Sequence, residues 1–211
     1  METSSMITLY GHELSGNAYK ARLFLELLNL DYEYKRVDLM KGEHKQPSYL
    51  AINPFGQVPA LVDGDRLLQD AQGILTYLAR QYGGEVWLPS DAISLSRVVR
   101  WLSVTAGEVR QGPENARLYH LFGATTINID RATEKSHQIL RQLNAWLSDR
   151  AWLECDRPTI ADIAVFPYVA LAPDGNIALE HYPHVLAWID RIKQLPGFVG
   201  MRCIEVPSAA A

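Results

Sequence analysis

The stretch HELSGNAYKARL, residues 12–23, sets a hydroxyl at Ser15 and an amide at Asn17 where an apolar-periodic helix begins. No aspartate or second basic group stands beside Ser15 in the chain to activate it, so attack by a serine nucleophile is not indicated. Two other uses remain. Serine and asparagine are preferred N-caps, and spacing alone favours that structural role. The alternative is donation to an anion held at the helix start, which the helix N-terminus already favours. Elsewhere, Cys155 and Cys203 sit in no catalytic pattern and read as small apolar fillers or surface thiols. HYPH (181–184) holds two histidines three apart, but a proline at a helix start and the lack of a third ligand argue against zinc, and no metal is assigned.

The elements that must carry these residues are legible in outline. The 211-residue chain is 48% hydrophobic and 21% charged, with a net charge of -4. That balance gives no footprint for nucleic acid and no basic run for a membrane surface. Two cysteines cannot build a disulfide framework and fit a reducing compartment. METSSMITLYG shows neither a basic n-region nor an apolar h-region, and the longest apolar stretch, 163–173, is too short to span a bilayer. A soluble cytoplasmic protein is expected.

MITLYG (6–11) alternates and predicts a strand ended by Gly11, and Ala18, Ala21, Leu25 and Leu28 predict a helix to residue 28. DYEYKRVDL (31–39) predicts a second strand, parallel to the first if the helix crosses over. The breaker-rich GEHKQPSYLAINPFGQ leaves room for a short irregular helix at 46–51, stopped at Asn53-Pro54. VPALVDGDRLL predicts a hairpin turning at Asp63-Gly64 with both residues at positive φ. A helix over 70–82 follows. After GGEVWLPS (83–90) strand signals stop, and helices are expected near 91–110, 128–150, 160–172 and 183–195. TIAD (159–162) resembles a capping box, with Asp162 in the usual glutamate position. The expected organisation is a βαβ-ββα domain (1–83), a linker (84–90) and an all-helical domain (91–211) ending in a small SAAA tail.

This layout and five motifs resemble the cytosolic glutathione transferases, in particular the serine-dependent plant phi-like and bacterial classes. The motifs are GHELS (11–15), GEHK (42–45), NPFGQVPAL (53–61), LQDAQGILTYLARQYG (68–83) and TIADIAVFPY (159–168). The resemblance implies an α/β thioredoxin-like first domain, an all-α second domain, glutathione as co-substrate, an electrophilic small molecule as acceptor and a homodimer. It also implies roles for residues. Ser15 donates a hydrogen bond to the glutathione sulfur, with Asn17 second and Tyr10 a more distant third. Pro59 follows a cis bond that turns the Val58 N–H and C=O toward the cysteinyl backbone, as an added strand would pair. Asp70 and the backbone at Ala71 receive the γ-glutamyl end; Ala71 departs from the family's serine and loses a hydroxyl. His44, Lys45 and Gln57 face the glycyl carboxylate. Trp101, Thr105, Glu108, Tyr119 and Tyr168 are acceptor-wall candidates, although aromatics at such spacing are more often core.

The energetics of that chemistry are simple. A free thiol titrates near ~8.5, and lowering it by about two units requires roughly 2.7 kcal/mol in favour of the anion. One hydrogen bond to a charged group contributes about 1.5–3 kcal/mol and a helix start about 0.3–1 kcal/mol more. A hydroxyl at a helix start therefore suffices. Two rival readings stay open: a glutathione-dependent disulfide or peroxide reductase, prompted by Asn17, and a non-catalytic binding protein, prompted by Ala71.

Overall fold

The computed structural model describes residues 6–205; residues 1–5 and 206–211, the SAAA tail included, lie outside that range. Strand β1 (Ile7–Gly11) alternates buried and half-buried side chains, as one face of a sheet over a core requires. Helix α1 (Gly16–Leu27) crosses over to β2 (Tyr32–Arg36), which pairs parallel to β1 with Leu9 opposite Tyr34. A short helix α2 (Pro47–Leu50) precedes β3 (Ala60–Asp63) and β4 (Arg66–Gln69), each antiparallel to its neighbour. The sheet order is β2-β1-β3-β4, the mixed four-stranded arrangement of a thioredoxin-like layer. Leu9, Leu23, Phe24, Leu61 and Ile74 are fully buried in the core beneath it.

The hairpin differs from expectation. Asp63 pairs with Arg66, so the two-residue loop is Gly64-Asp65, and of these only Gly64 takes positive φ, at 63°. A glycine at the first loop position is the requirement of a type II′ turn, whereas two positive-φ residues would define type I′. The Asp63 side chain serves the helix beyond the hairpin instead, its Oδ2 accepting the Tyr77 and Tyr82 hydroxyls.

Helix α3 (Ala71–Leu78) is followed by a π-helical turn and by α4 (Gly84–Trp87), so the expected linker itself holds a helical turn. Then α5 (Ala92–Val104), a ten-residue π-helical stretch (Thr105–Glu114) and α6 (Asn115–Phe122) run on without a break. This corrects the expected helix end near residue 110, and the continuation passes through Gly112-Pro113. Proline has no N–H to give, and in an α-helix its ring meets the carbonyl four residues back. Widened winding provides another route; the Asn115 N–H reaches the Arg110 carbonyl, five residues back. Gly112 permits the passage sterically, since a Cβ there would stand 2.8 Å from the Ser136 backbone nitrogen.

Helices α7 (Ile129–Trp146), α8 (Ile160–Ala170) and α9 (Pro183–Lys193) complete the helical part. The capping box at Thr159 is present: Thr159 Oγ1 accepts from the Ala161 N–H, and Asp162 Oδ2 accepts from the Thr159 N–H at 3.0 Å. Asp162 Oδ1 also accepts from the Leu153 N–H and from Trp188 Nε1. No helix among the described residues is long and apolar enough to cross a membrane.

Candidate active site

The turn between β1 and α1 positions the first chemistry-bearing groups. Ser15 has extended backbone and caps α1, its Oγ accepting from the Ala18 N–H at 3.2 Å. The cap uses an oxygen lone pair and leaves the hydroxyl proton free to donate, so capping and anion binding are compatible in one side chain. Asn17 lies in the first turn. Its Oδ1 accepts from Lys20 Nζ at 2.8 Å, and its Nδ2 donates to Glu114 Oε1 at 3.3 Å. Gly16 lets this turn abut α8, because a Cβ there would lie 2.8 Å from the Tyr168 ring.

A cavity of about 410 Å³ opens beside the turn. Asn17, Gln57, Val58, Pro59, Asp70 and Ala71 line its floor, while Thr105, Arg110 and Glu114 from the π-helical stretch form the opposite wall. The Val58–Pro59 peptide is cis, in the conformation the resemblance implies. Just before it, the Gln57 carbonyl accepts from both the Tyr49 hydroxyl and Asn53 Nδ2, each at 2.7 Å, which holds the loop. Neither the N–H nor the C=O of Val58 makes a hydrogen bond among the described residues, so both remain for an extended ligand.

Asp70 sits at φ 70°, ψ 132°, outside the regions comfortable for a residue with a side chain. Such backbone costs of the order of 1–3 kcal/mol and gathers at functional sites. Its Oδ1 caps α3 by accepting from the Gln72 and Gly73 N–H groups at 2.9 and 3.0 Å. Ala71, 3% exposed, follows at the first position of α3.

His44 and Lys45 are not among the residues lining this cavity. Lys45 Nζ instead donates to the Phe55 and Gly56 carbonyls, at 3.3 and 2.9 Å, closing the turn ahead of Gln57. His44 is half-buried, its Nδ1 lacks a partner, and burial lowers its pKa, with Lys45 adding to the effect. Tyr10 also stands apart, its ring edge-on to Tyr49 at 6.3 Å.

A second cavity, of about 340 Å³, lies on the other side of the turn. Leu14, Ser15, Leu39, Met40, Phe122 and Tyr168 line it, with Arg117 as its charged group. Of the acceptor-wall candidates, Tyr168 faces this cavity and Thr105 the first. Trp101 and Glu108 line a separate surface depression, and Trp101 Nε1 is tied to Glu154 Oε1 at 3.0 Å. Tyr119 lines neither cavity beside the turn; its ring meets His120.

Lys20, Arg110 and Glu114 join the site without any motif to announce them. Glu114 stands 97 positions from Asn17, and only packing brings them together. Lys20 carries a faint signal, three residues after Asn17 on the same helix face. Burial raises the Glu114 carboxyl above its ordinary range, while Lys20 and Arg110 oppose that shift.

Family models describe both parts of the chain: "Glutathione S-transferase, N-terminal domain" matches residues 5–80, and "Glutathione S-transferase, C-terminal domain" matches residues 123–196. Glutathione S-transferase 3 of Zea mays is 33% identical, over 91% of each chain. Maleylacetoacetate isomerase of Pseudomonas aeruginosa is 31% identical over 90% of this chain and 92% of its own. Disulfide-bond oxidoreductase YfcG of Escherichia coli is 33% identical, over 90% of this chain and 92% of its own. Among solved structures, a glutathione S-transferase from Pseudomonas fluorescens superposes with a TM-score of 0.87 at 30% identity, covering 93% of this chain and 99% of that one.

Proposed function

The chain belongs to the glutathione S-transferase family, and from that premise we propose that it binds reduced glutathione and joins its sulfur to electrophilic small molecules. The observation that carries this reading is convergence. Asn17, the unpaired Val58 peptide groups and Asp70 meet around one cavity, and Ser15, two residues before Asn17 in the same turn, lines the second cavity instead. The γ-glutamyl ammonium goes to Asp70, its carboxylate to the N–H groups opening α3, the cysteinyl backbone to Val58 and the glycyl end to Gln57. His44 and Lys45 are assigned to that glycyl end by family likeness. The sulfur then lies at the Ser15–Asn17 turn.

Catalysis follows from the sulfur's position. Hydrogen bonds from the Ser15 hydroxyl and the Asn17 amide, together with the start of α1, stabilise the thiolate over the thiol. The largely apolar second cavity, which Ser15 lines, holds the acceptor against that sulfur and limits water there. Attack forms the carbon–sulfur bond, and the acceptor's leaving group departs or its π-bond takes up a proton.

Ultraviolet absorbance of the bound thiolate against pH tests this. The thiol should titrate about two units below its free value, and Ser15→Ala should move it back by one or more. Ser15→Ala with an unmoved titration transfers the role to Asn17. A second reading, thiol–disulfide exchange, draws on Asn17 lining the cavity and on the oxidoreductase relative. Comparing turnover of an aryl halide with that of a mixed glutathione disulfide separates the two, and faster disulfide turnover replaces the first reading.

A further inference from the structure

A lysine without a counter-ion stands behind Asn17. Lys20 is 1% exposed, its Nζ donates to Asn17 Oδ1 at 2.8 Å, and it lies 5.1 Å from the centroid of the Tyr168 ring. Among the described residues no carboxylate comes within 4.0 Å of it. A buried ammonium without a close anion is costly, which ordinarily removes such a residue from a core. Glu114 shares Asn17 with Lys20 as a hydrogen-bond partner, acts on it electrostatically from beyond ion-pair distance, and lies 4.0 Å from Arg110 Nη1, which offsets it. Burial lowers the Lys20 pKa to about 8, with Glu114 and Asp70 acting the other way and Arg110 adding to the fall.

Lysine chemistry also fixes the orientation of Asn17. A protonated lysine has three donors and no acceptor, so the amide atom facing it must be the oxygen. Nδ2 then faces Glu114 on the cavity wall, uses one N–H there and keeps the other for a ligand.

We propose that Lys20 is a positioning residue for the glutathione thiolate: it locks the Asn17 amide with its N–H groups toward the cavity and supplies the buried positive charge that the anionic sulfur completes. This rests on the thiolate reading above. Glu114, Arg110, Asp70 and Tyr168 face Lys20, which is the buried cation in contact with Asn17.

A titration of bound glutathione in the full chain carrying Lys20→Met, read by thiolate absorbance, tests the proposal. The bound thiol pKa should rise by about one unit, a roughly threefold smaller thiolate fraction near neutrality. Binding of S-methylglutathione, which has no proton to lose, should stay within about twofold, a separation that a purely structural role would not give. Since Lys20 acts partly through Asn17 and partly through its own charge, the double variant Asn17→Ala/Lys20→Met should titrate above Asn17→Ala alone, by less than the full shift of Lys20→Met. If Lys20→Met fails to fold, Lys20→Met/Glu114→Gln compared with Glu114→Gln gives the same readout. A lowered thiol pKa in the wild type that survives Lys20→Met overturns this inference alone, as does an equal loss of S-methylglutathione binding. A wild-type protein that leaves the thiol at its solution pKa overturns the functional reading as well.

Discussion

At the scale of single residues, the informative positions combine a structural duty with a spare valence. Ser15 accepts from Ala18 and still has a proton to give. Asp70 caps α3 through Oδ1, which leaves Oδ2 for an ammonium. Ala71 has no such spare group, although it lines the cavity at the head of α3. Restoring a hydroxyl there adds one neutral hydrogen bond of about 0.5–1.5 kcal/mol, so Ala71→Ser should tighten glutathione binding roughly three- to tenfold in calorimetry. Unchanged affinity would mean that the backbone N–H groups of α3 carry the carboxylate unaided. These residues are readable in the sequence because local motifs announce them: a cap before a helix, a proline after valine, an acidic residue before an apolar run. Lys20, Arg110 and Glu114 are not. A lysine in a helix is ordinarily solvated, and its burial here depends on α8 and the π-helical stretch closing over it.

At the scale of elements, strands and amphipathic helices follow from periodicity, and the departures fall where proline or glycine has two possible uses. The helix expected to end near residue 110 runs on through Pro113; Gly64 reads as the second loop residue yet is the first. The capping box at α8 is legible because its partners are three residues apart and need no tertiary information. Its energetic weight, however, comes from distant partners, Leu153 and Trp188. Asp162→Ala leaves those buried donors unsatisfied and should destabilise the chain by roughly 3 kcal/mol or more in urea. Burial also raises the Asp162 carboxyl to about 6, against the donors' opposing pull. Over the window from about 4 to 6 the folded chain retains this proton while the unfolded chain has lost it. Stability from this group therefore falls as pH rises, by at most about 3 kcal/mol. Wild-type and Asp162→Asn unfolding curves at pH 4 and 6.5 should differ in that pH dependence, and parallel behaviour would remove Asp162 as its source.

At the scale of the whole molecule, the site depends on the sheet layer and the helical part together. Asn17, Val58 and Asp70 come from the first, Thr105, Arg110 and Glu114 from the second, and glutathione would bridge them. Saturating glutathione should therefore raise the melting temperature, since a ligand at one hundred times its Kd adds about 2.7 kcal/mol. No shift at millimolar glutathione would favour the non-catalytic reading. We also propose the homodimer that the family resemblance implies; sedimentation at micromolar concentration should give twice the chain mass, and a monomer would refute it.

The wide-wound stretch between α5 and α6 sets the angular phase of everything beyond it. Each turn there holds more chain than an α-helical turn. Deleting one residue between Thr105 and Gly112 would let the coil tighten and rotate Glu114 and Arg117 by about a quarter turn or more about the axis. Such a protein would keep its helix content by circular dichroism yet swing Glu114 out of the first cavity's wall and Arg117 out of the second's. The irregular winding is thus a gauge block for the facing walls of the first cavity, whose far side it supplies through Thr105, Arg110 and Glu114.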